Sequence, residues 1–208
     1  MQSPHTATHD VCSKMRGAFI IRPDCGTNMA MEPRRRREGR PPYDEAGLEQ
    51  AALSYAGRFA TTRARLAAYL TRKLRERGWE GAGEPPVDRL VEKLASLGYV
   101  DDRSFAEARA AALGRRGYGL RRVTEALRAA GVGEEDGAEA KAIARDQAWE
   151  AALRFARRRR IGPFASDEPT PEAREKALAA LLRAGHPLDL ARRLARSRPG
   201  EVPEADSG

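Results

Sequence analysis

The feature that most constrains this chain is a helix ending written three times. Leu74-x-x-x-Gly78-Trp79, Leu127-x-x-x-Gly131-Val132 and Leu181-x-x-x-Gly185-His186 share one pattern, with their glycines 53 and 54 residues apart. Eight residues before each glycine stands an apolar side chain: Leu70, Val123 and Ala177. A helix often stops on a left-handed residue, a conformation that glycine adopts without strain. A regular period of this length has room for about three short helices, which points to a helical repeat array. A further copy, Leu94-x-x-x-Gly98-Tyr99, is out of phase and closes the third helix of the first repeat.

The apolar stripes between these endings follow helical spacing. They are Leu66, Tyr69, Leu70 and Leu74; then Val87, Leu90, Val91, Leu94 and Leu97; then Phe105, Ala108, Ala112 and Leu113. Leu120, Val123 and Leu127 follow, then Trp149, Ala152, Leu153 and Ala156, then Ala177, Leu178, Leu181 and Leu182, and last Leu188, Ala191 and Leu194. Ala, Leu, Arg and Glu dominate, aromatics are 6%, and no alternating β-branched run is present. The fold class expected is therefore all-α, an elongated array of three tandem three-helix repeats. The expected boundaries are a disordered basic tail over 1–40 and repeats over 41–100, 101–141 and 142–198, with a disordered tail over 199–208. The third helix of the second repeat is expected to be a stub, because Gly133 and Gly137 interrupt the stretch after Gly131.

Charge narrows the function classes. The net charge is +8, and residues 1–40 hold eight basic and four acidic side chains, so half of the excess lies in that segment. A modest excess in the body suits an acidic or nucleoprotein partner without requiring direct nucleic-acid binding. Translation starting at Met31 is one reading of the N-terminal segment. Both cysteines, Cys12 and Cys25, lie there, so no disulfide framework supports the body. His5 and His9 complete the inventory of a zinc site but lack its paired spacing, and no metal or cofactor is expected. No segment is long and apolar enough to span a bilayer. No Walker loop, nucleophile elbow or His-Glu-x-x-His run occurs, which argues against an enzyme.

The densest stretch runs from Leu97 to Ala106. Gly98 ends a helix, Tyr99 and Val100 are expected to turn back onto the core, and Asp101 or Asp102 caps the next helix. Paired aspartates can also hold a metal, but no third ligand stands at helical spacing, so capping is the reading preferred. Gly98-Tyr99-Val100-Asp101-Asp102, with Phe105 and Ala106, then Arg115-Arg116-Gly117-Tyr118-Gly119, then Arg122-Val123 with Leu127 and Gly131-Val132, resembles the RecX family as a series. Ala144-Arg145-Asp146-Gln147-Ala148 and the terminal helix pair extend the resemblance over about residues 44–197. It implies a cytoplasmic, non-catalytic protein of three tandem three-helix repeats. The implied partner is the RecA–DNA filament, whose ATPase, recombinase and co-protease activities such a protein restrains in DNA repair and the SOS response. The chain departs from the family's pattern at Thr62, where the serine and glutamate that commonly open that helix are missing.

Two sets of cations are the candidate partner-binding residues. Arg115, Arg116, Arg121 and Arg122 surround Tyr118 on a glycine-rich turn, where guanidinium forks suit phosphate or carboxylate and the tyrosine could stack on a base or anchor an interface. The alternative is a solvated turn with a locally packed tyrosine. Arg72, Lys73 and Arg75 line a helix face that can equally be a solvated surface. Arg157 to Arg160 include one or two charges that complement a helix end, leaving others for an anionic partner. A monomer is expected, with weak single-stranded DNA binding and no membrane association. A helical module that binds nucleic acid on its own is the competing reading.

Overall fold

The computed structural model describes residues 40–204. Among them are nine α-helices: α1 (Glu45–Ala56), α2 (Arg63–Arg77), α3 (Val87–Ser96), α4 (Asp102–Arg115), α5 (Leu120–Arg128), α6 (Glu134–Asp146), α7 (Ala148–Arg159), α8 (Pro171–Arg183) and α9 (Leu188–Arg196). A single 3-10 turn, Gly162–Phe164, follows α7. There is no strand among the described residues, only one isolated bridge between Tyr43 and Trp79. The all-α expectation holds. Met31, His5, His9, Cys12, Cys25 and the basic run from Arg34 lie outside the described residues.

Local chemistry sets the helix limits. Asp44, Thr62, Asp101 and Thr170 each accept a backbone N–H of the first turn through the side chain. Thr62 thus caps α2 although the serine and glutamate of the family's pattern are missing there. The repeated ending is now explained. Val132 N–H donates to Leu127 O at 3.1 Å, His186 to Leu181 O at 3.2 Å and Tyr99 to Leu94 O at 2.9 Å. These are the long bonds of a Schellman turn, with the leucine carbonyl as acceptor and glycine at positive φ. The copy at Gly78 departs from this. Its N–H returns to Leu74 O at 2.7 Å, and its ψ of 176° sends the chain out extended.

Each consecutive helix triplet encloses its own apolar cluster. Leu48 and Ala52, Leu66 and Leu70, and Leu90, Val91 and Leu94 form the first, with Tyr43 and Val100. Ala106, Ala110 and Leu113 of α4 meet Val123 and Leu127 of α5 and Ala140 of α6 in the second. Phe155, Leu181 and Leu194 with small residues of α7 to α9 form the third. The expected stub is a full helix. Gly137 is buried inside α6, where it faces Leu127 and Val132, and the break before α7 falls at Gln147. The boundary expected between 141 and 142 therefore cuts through α6. The α4 stripe is also corrected: Ala108 is exposed and the buried face is Ala106, Ala110 and Leu113. Leu97 and Tyr99 point to solvent, leaving only Val100 turned inward. Disorder from residue 199 is not what the described part shows. Gly200 N–H donates to Pro163 O at 2.9 Å, and Arg193 bonds the Glu204 carbonyl.

Candidate functional site

Two joints connect the triplets, and the candidate turn forms the second of them. Gly119 N–H donates to Ala184 O at 2.9 Å, and Arg121 N–H to Gly185 O at 3.3 Å. A Cβ at Gly119 would strike the Gly185 carbonyl, and one at Gly117 would lie 2.6 Å from Phe155 N. The glycines therefore permit a close backbone approach, but to the chain's own α7 and α8–α9 turn. Arg121 donates a guanidinium N–H to Leu182 O at 2.6 Å, Arg154 donates to Gly114 O at 3.1 Å, and Arg158 donates to Arg116 O. Tyr118 is half-buried between the second and third clusters. The exposed stacking role considered for it is replaced by local packing under Arg116, 5.8 Å from the ring centre.

Around this joint opens a cleft of about 790 Å³. Six arginines line it: Arg116, Arg121, Arg122, Arg158, Arg159 and Arg183, with Tyr118, Phe155, Ala180 and Ala184 between them. Its one acid is Glu125, 3.2 Å from Arg122 and 3.7 Å from Arg121. These pairs are roughly half exposed, so they hold the arginines only loosely. Arg158 and Arg159 lie over the Phe155 ring. Arg183 has no ion-pair or hydrogen-bond partner among the described residues. A neighbouring hollow of about 350 Å³ shares Arg159 and Arg183 and adds Arg160, Arg174 and Lys176, with no acid in its lining. Six forks against one carboxylate can take an extended anion carrying several charges. No metal-ligating cluster is present among the described residues.

The structure thus gathers Arg116, Tyr118, Arg121 and Arg122 but not the other candidates. Arg115 is exposed and does not line the cleft. Arg72 and Lys73 belong to the first triplet, where both are tied to Glu76 at 3.0 and 2.7 Å. The Lys73 bond, with both nearby cations, holds the Glu76 carboxyl below its ordinary range. Arg75 is exposed, and no ion pair or hydrogen bond ties it among the described residues.

The first joint follows the same plan. The Thr62 hydroxyl donates to Ala130 O at 2.6 Å, and a Cβ at Gly131 would run into Ala64. Asp102, the second aspartate of the pair, is buried and accepts Arg63 N–H at 2.9 Å, so it caps α2 from across the joint while Asp101 caps α4. Burial raises the Asp102 pKa; the Arg63 bond opposes this.

No family model matches the chain. It is 35% identical over 175 residues to "Regulatory protein RecX" of Myxococcus xanthus (strain DK1622), covering 80% of this chain and 91% of the relative. This chain belongs to the RecX family. A RecX protein of Mycobacterium sp. (strain JLS) is 38% identical over 105 residues, half of this chain and 55% of the relative. The crystal structure of RecX from Lactobacillus salivarius superposes with a TM-score of 0.55 at 20% identity, over 72% of this chain and 92% of that one. A second RecX crystal structure gives 0.53 at 19% identity, over 72% of each chain. These likenesses agree with the all-helical fold. The RecX relatives are named regulatory proteins, and no described helix is long and apolar enough to cross a membrane.

Three elements of this RecX-family joint were not legible beforehand. Arg158 and Arg159 were visible as part of a charge run, but nothing placed them beside the turn. Arg183 gave no signal, because an arginine in the last turn of a helix is ordinary dipole chemistry. His186 fills the joint's interior. Its Nε2 lies 3.0 Å from Gly117 O, its ring is tilted against Phe155, and its Nδ1 is buried without a partner. Burial lowers its pKa, against the Gly117 bond.

Proposed function

We propose that the chain is a cytoplasmic, monomeric, non-catalytic regulator that binds the RecA–DNA filament and restrains RecA's ATPase, recombinase and co-protease activities. The observation that carries this reading is the 35% identity with a RecX protein over 80% of the chain. The proposed partner surface is the arginine cleft at the second joint, entered through Arg116, Arg121 and Arg122, with Arg115 at its margin and Tyr118 as packing support. Arg72, Lys73 and Arg75 make a secondary surface, weaker because Glu76 already occupies two of them. A filament presents phosphates and acidic side chains at regular intervals, and charge-assisted contacts in an interface are stronger than exposed pairs.

The test is RecA ATP hydrolysis on single-stranded DNA with and without the protein. Slowed hydrolysis is expected, and unchanged hydrolysis at saturating protein would refute the regulatory reading. The acid-free hollow beside the cleft favours a second reading, a helical module that holds nucleic acid by itself. Binding to naked single-stranded DNA over a salt series separates the two. Affinity for naked DNA equal to that for RecA-coated DNA would favour the second.

A further inference from the structure

The turns at Gly78, Gly131 and Gly185 match in sequence but not in what sits on them. At Gly131 sits the start of α2: Ala130 O takes the Thr62 hydroxyl at 2.6 Å, and Ala64 stands where a Cβ would go. At Gly185 sits the start of α5: Ala184 O takes Gly119 N–H at 2.9 Å, and Arg122 N stands 2.5 Å from where a Cβ would go. Each turn receives the first residues of the second helix in the preceding triplet. The first triplet has no predecessor among the described residues, yet its turn is not bare. Tyr43 N–H donates to Gly78 O at 3.1 Å, and Glu80 N–H to Tyr43 O at 3.0 Å. Arg77 donates twice to Pro41 O, at 2.6 and 2.9 Å, and lies 3.9 Å over the buried Tyr43 ring. Pro42 comes 3.7 Å from a Cβ on Gly78, on the side taken by Ala64 and Arg122 at the other turns.

We propose that Pro41–Tyr43 is a plug occupying the place that a neighbouring triplet's helix start takes at the other two turns, and that it keeps a second copy of this chain from docking head to tail on the Gly78 turn. The element of the second copy that would dock is the start of α8. It is the one second-helix start among the described residues that sits on no turn, and it is exposed. It opens on Thr170 as α2 opens on Thr62, which puts Glu172 where α2 has Ala64. Glu172 and Glu175 are exposed in the first turns of α8, and Arg75 is exposed in the last turn of α2, so these can meet as opposite charges. Glu168 is already paired with Arg174, and Arg192, Arg196 and Arg198 border the same surface, so the match rests on the shared threonine-capped helix start. Such a contact uses different surfaces on the two copies, so it builds open rows rather than closed pairs. Two prolines in the plug lack N–H donors, so the pairing at Tyr43 cannot extend into a sheet that would recruit other strands.

The experiment is sedimentation velocity over a concentration series, with helix content checked by circular dichroism. The full chain is expected to stay a single copy throughout. Pro42→Gly/Tyr43→Gly removes the plug, and Arg77→Ala only unclamps it, leaving the Tyr43 ring available to the core. Both are expected to show a mean mass rising with concentration towards two copies and beyond, more weakly for Arg77→Ala. Adding Glu172→Arg to either is expected to return it to a single copy. If the first variant does not fold, the second decides. The proposal is overturned if the full chain already forms rows, if folded plug variants stay single at every concentration, or if Glu172→Arg leaves their association unchanged. The last result would mean that exposed core, not the α8 start, is what sticks.

Discussion

At Asp102 one carboxylate serves a helix it does not belong to. The sequence left Asp101 and Asp102 as interchangeable caps, because both stand at the start of the same helix. Only the joint separates them: Asp101 turns to Ser104 N–H, while Asp102 reaches Arg63 N–H on α2. Asp102→Ala leaves that donor without its acceptor and is expected to cost about 1–2 kcal/mol in urea unfolding. Asp102→Asn keeps an acceptor and removes a buried charge, so it is expected to stay within about 0.5 kcal/mol of the parent at neutral pH. Equal losses for the two would show that the cap is not what Asp102 contributes. His186 works in the opposite sense. Its native pKa is lowered by burial, so the unfolded chain takes up a proton that the native chain refuses. Its contribution is full above the ordinary histidine value, about 6.5, and is lost as pH falls from there toward the lowered native value. Melting curves between pH 8 and 5 are expected to drop over that window, and His186→Gln to flatten the drop. An unchanged slope would place the pH response elsewhere.

The helices were legible where one periodicity dominated. The Leu-x-x-x-Gly endings fixed three helix ends because the Schellman turn needs glycine in the left-handed region and a carbonyl five residues before the residue after it. Leu70 and Leu127 are fully buried, as their stripes required. Either one changed to Ala is expected to lose about 2–5 kcal/mol, and a loss near zero would contradict the packing. α4 misled because it is rich in alanine. Where nearly every position is small, the face is set by which partners approach, and α6 approaches along Ala106 and Ala110. α6 is a full helix despite Gly133 and Gly137, because a glycine breaks a helix only where packing does not hold it. Gly137 instead lies where α5 packs against α6, and its propensity penalty of about 1 kcal/mol is small beside that packing. Gly119 is a stricter position. A methyl there would meet the Gly185 carbonyl, a backbone atom with no rotamer to yield. Gly119→Ala is expected to cost about 1–3 kcal/mol and to raise amide exchange at Arg121 and His186 before the first triplet is affected. Uniform exchange across the chain would show that the joint does not open separately.

Across the whole molecule, half of the candidate site could be read in advance, and the reason is topological. Arg116, Arg121 and Arg122 are neighbours in sequence, so a motif reveals them. Arg158 and Arg183 reach the same cleft from two other helices, and no local pattern connects residues that only a joint between triplets brings together. The joint also changes which substitutions can report on binding. Arg121 bonds Leu182 O and Arg158 bonds the Arg116 carbonyl, so removing either side chain disturbs the joint as well as the surface. The side chains of Arg116, Arg122 and Arg183 donate no hydrogen bond across it among the described residues; Arg122 meets only Glu125 on its own helix. Their replacement by Ala is therefore expected to leave melting within a few degrees, since exposed charges contribute little to stability. The same triple variant is expected to bind RecA-coated DNA about ten-fold or more weakly, because a single lost charge-assisted contact in a desolvated interface can exceed 1 kcal/mol. Its affinity should also depend less steeply on salt, having fewer charges to screen. Filament-binding titrations at two salt concentrations beside a melting curve measure both. An unchanged melt with unchanged affinity would remove the cleft from the binding surface. The exposed Arg75 on α2, and Arg160 and Lys176 in the hollow, would then be the residues to change next, because no ion pair ties them among the described residues.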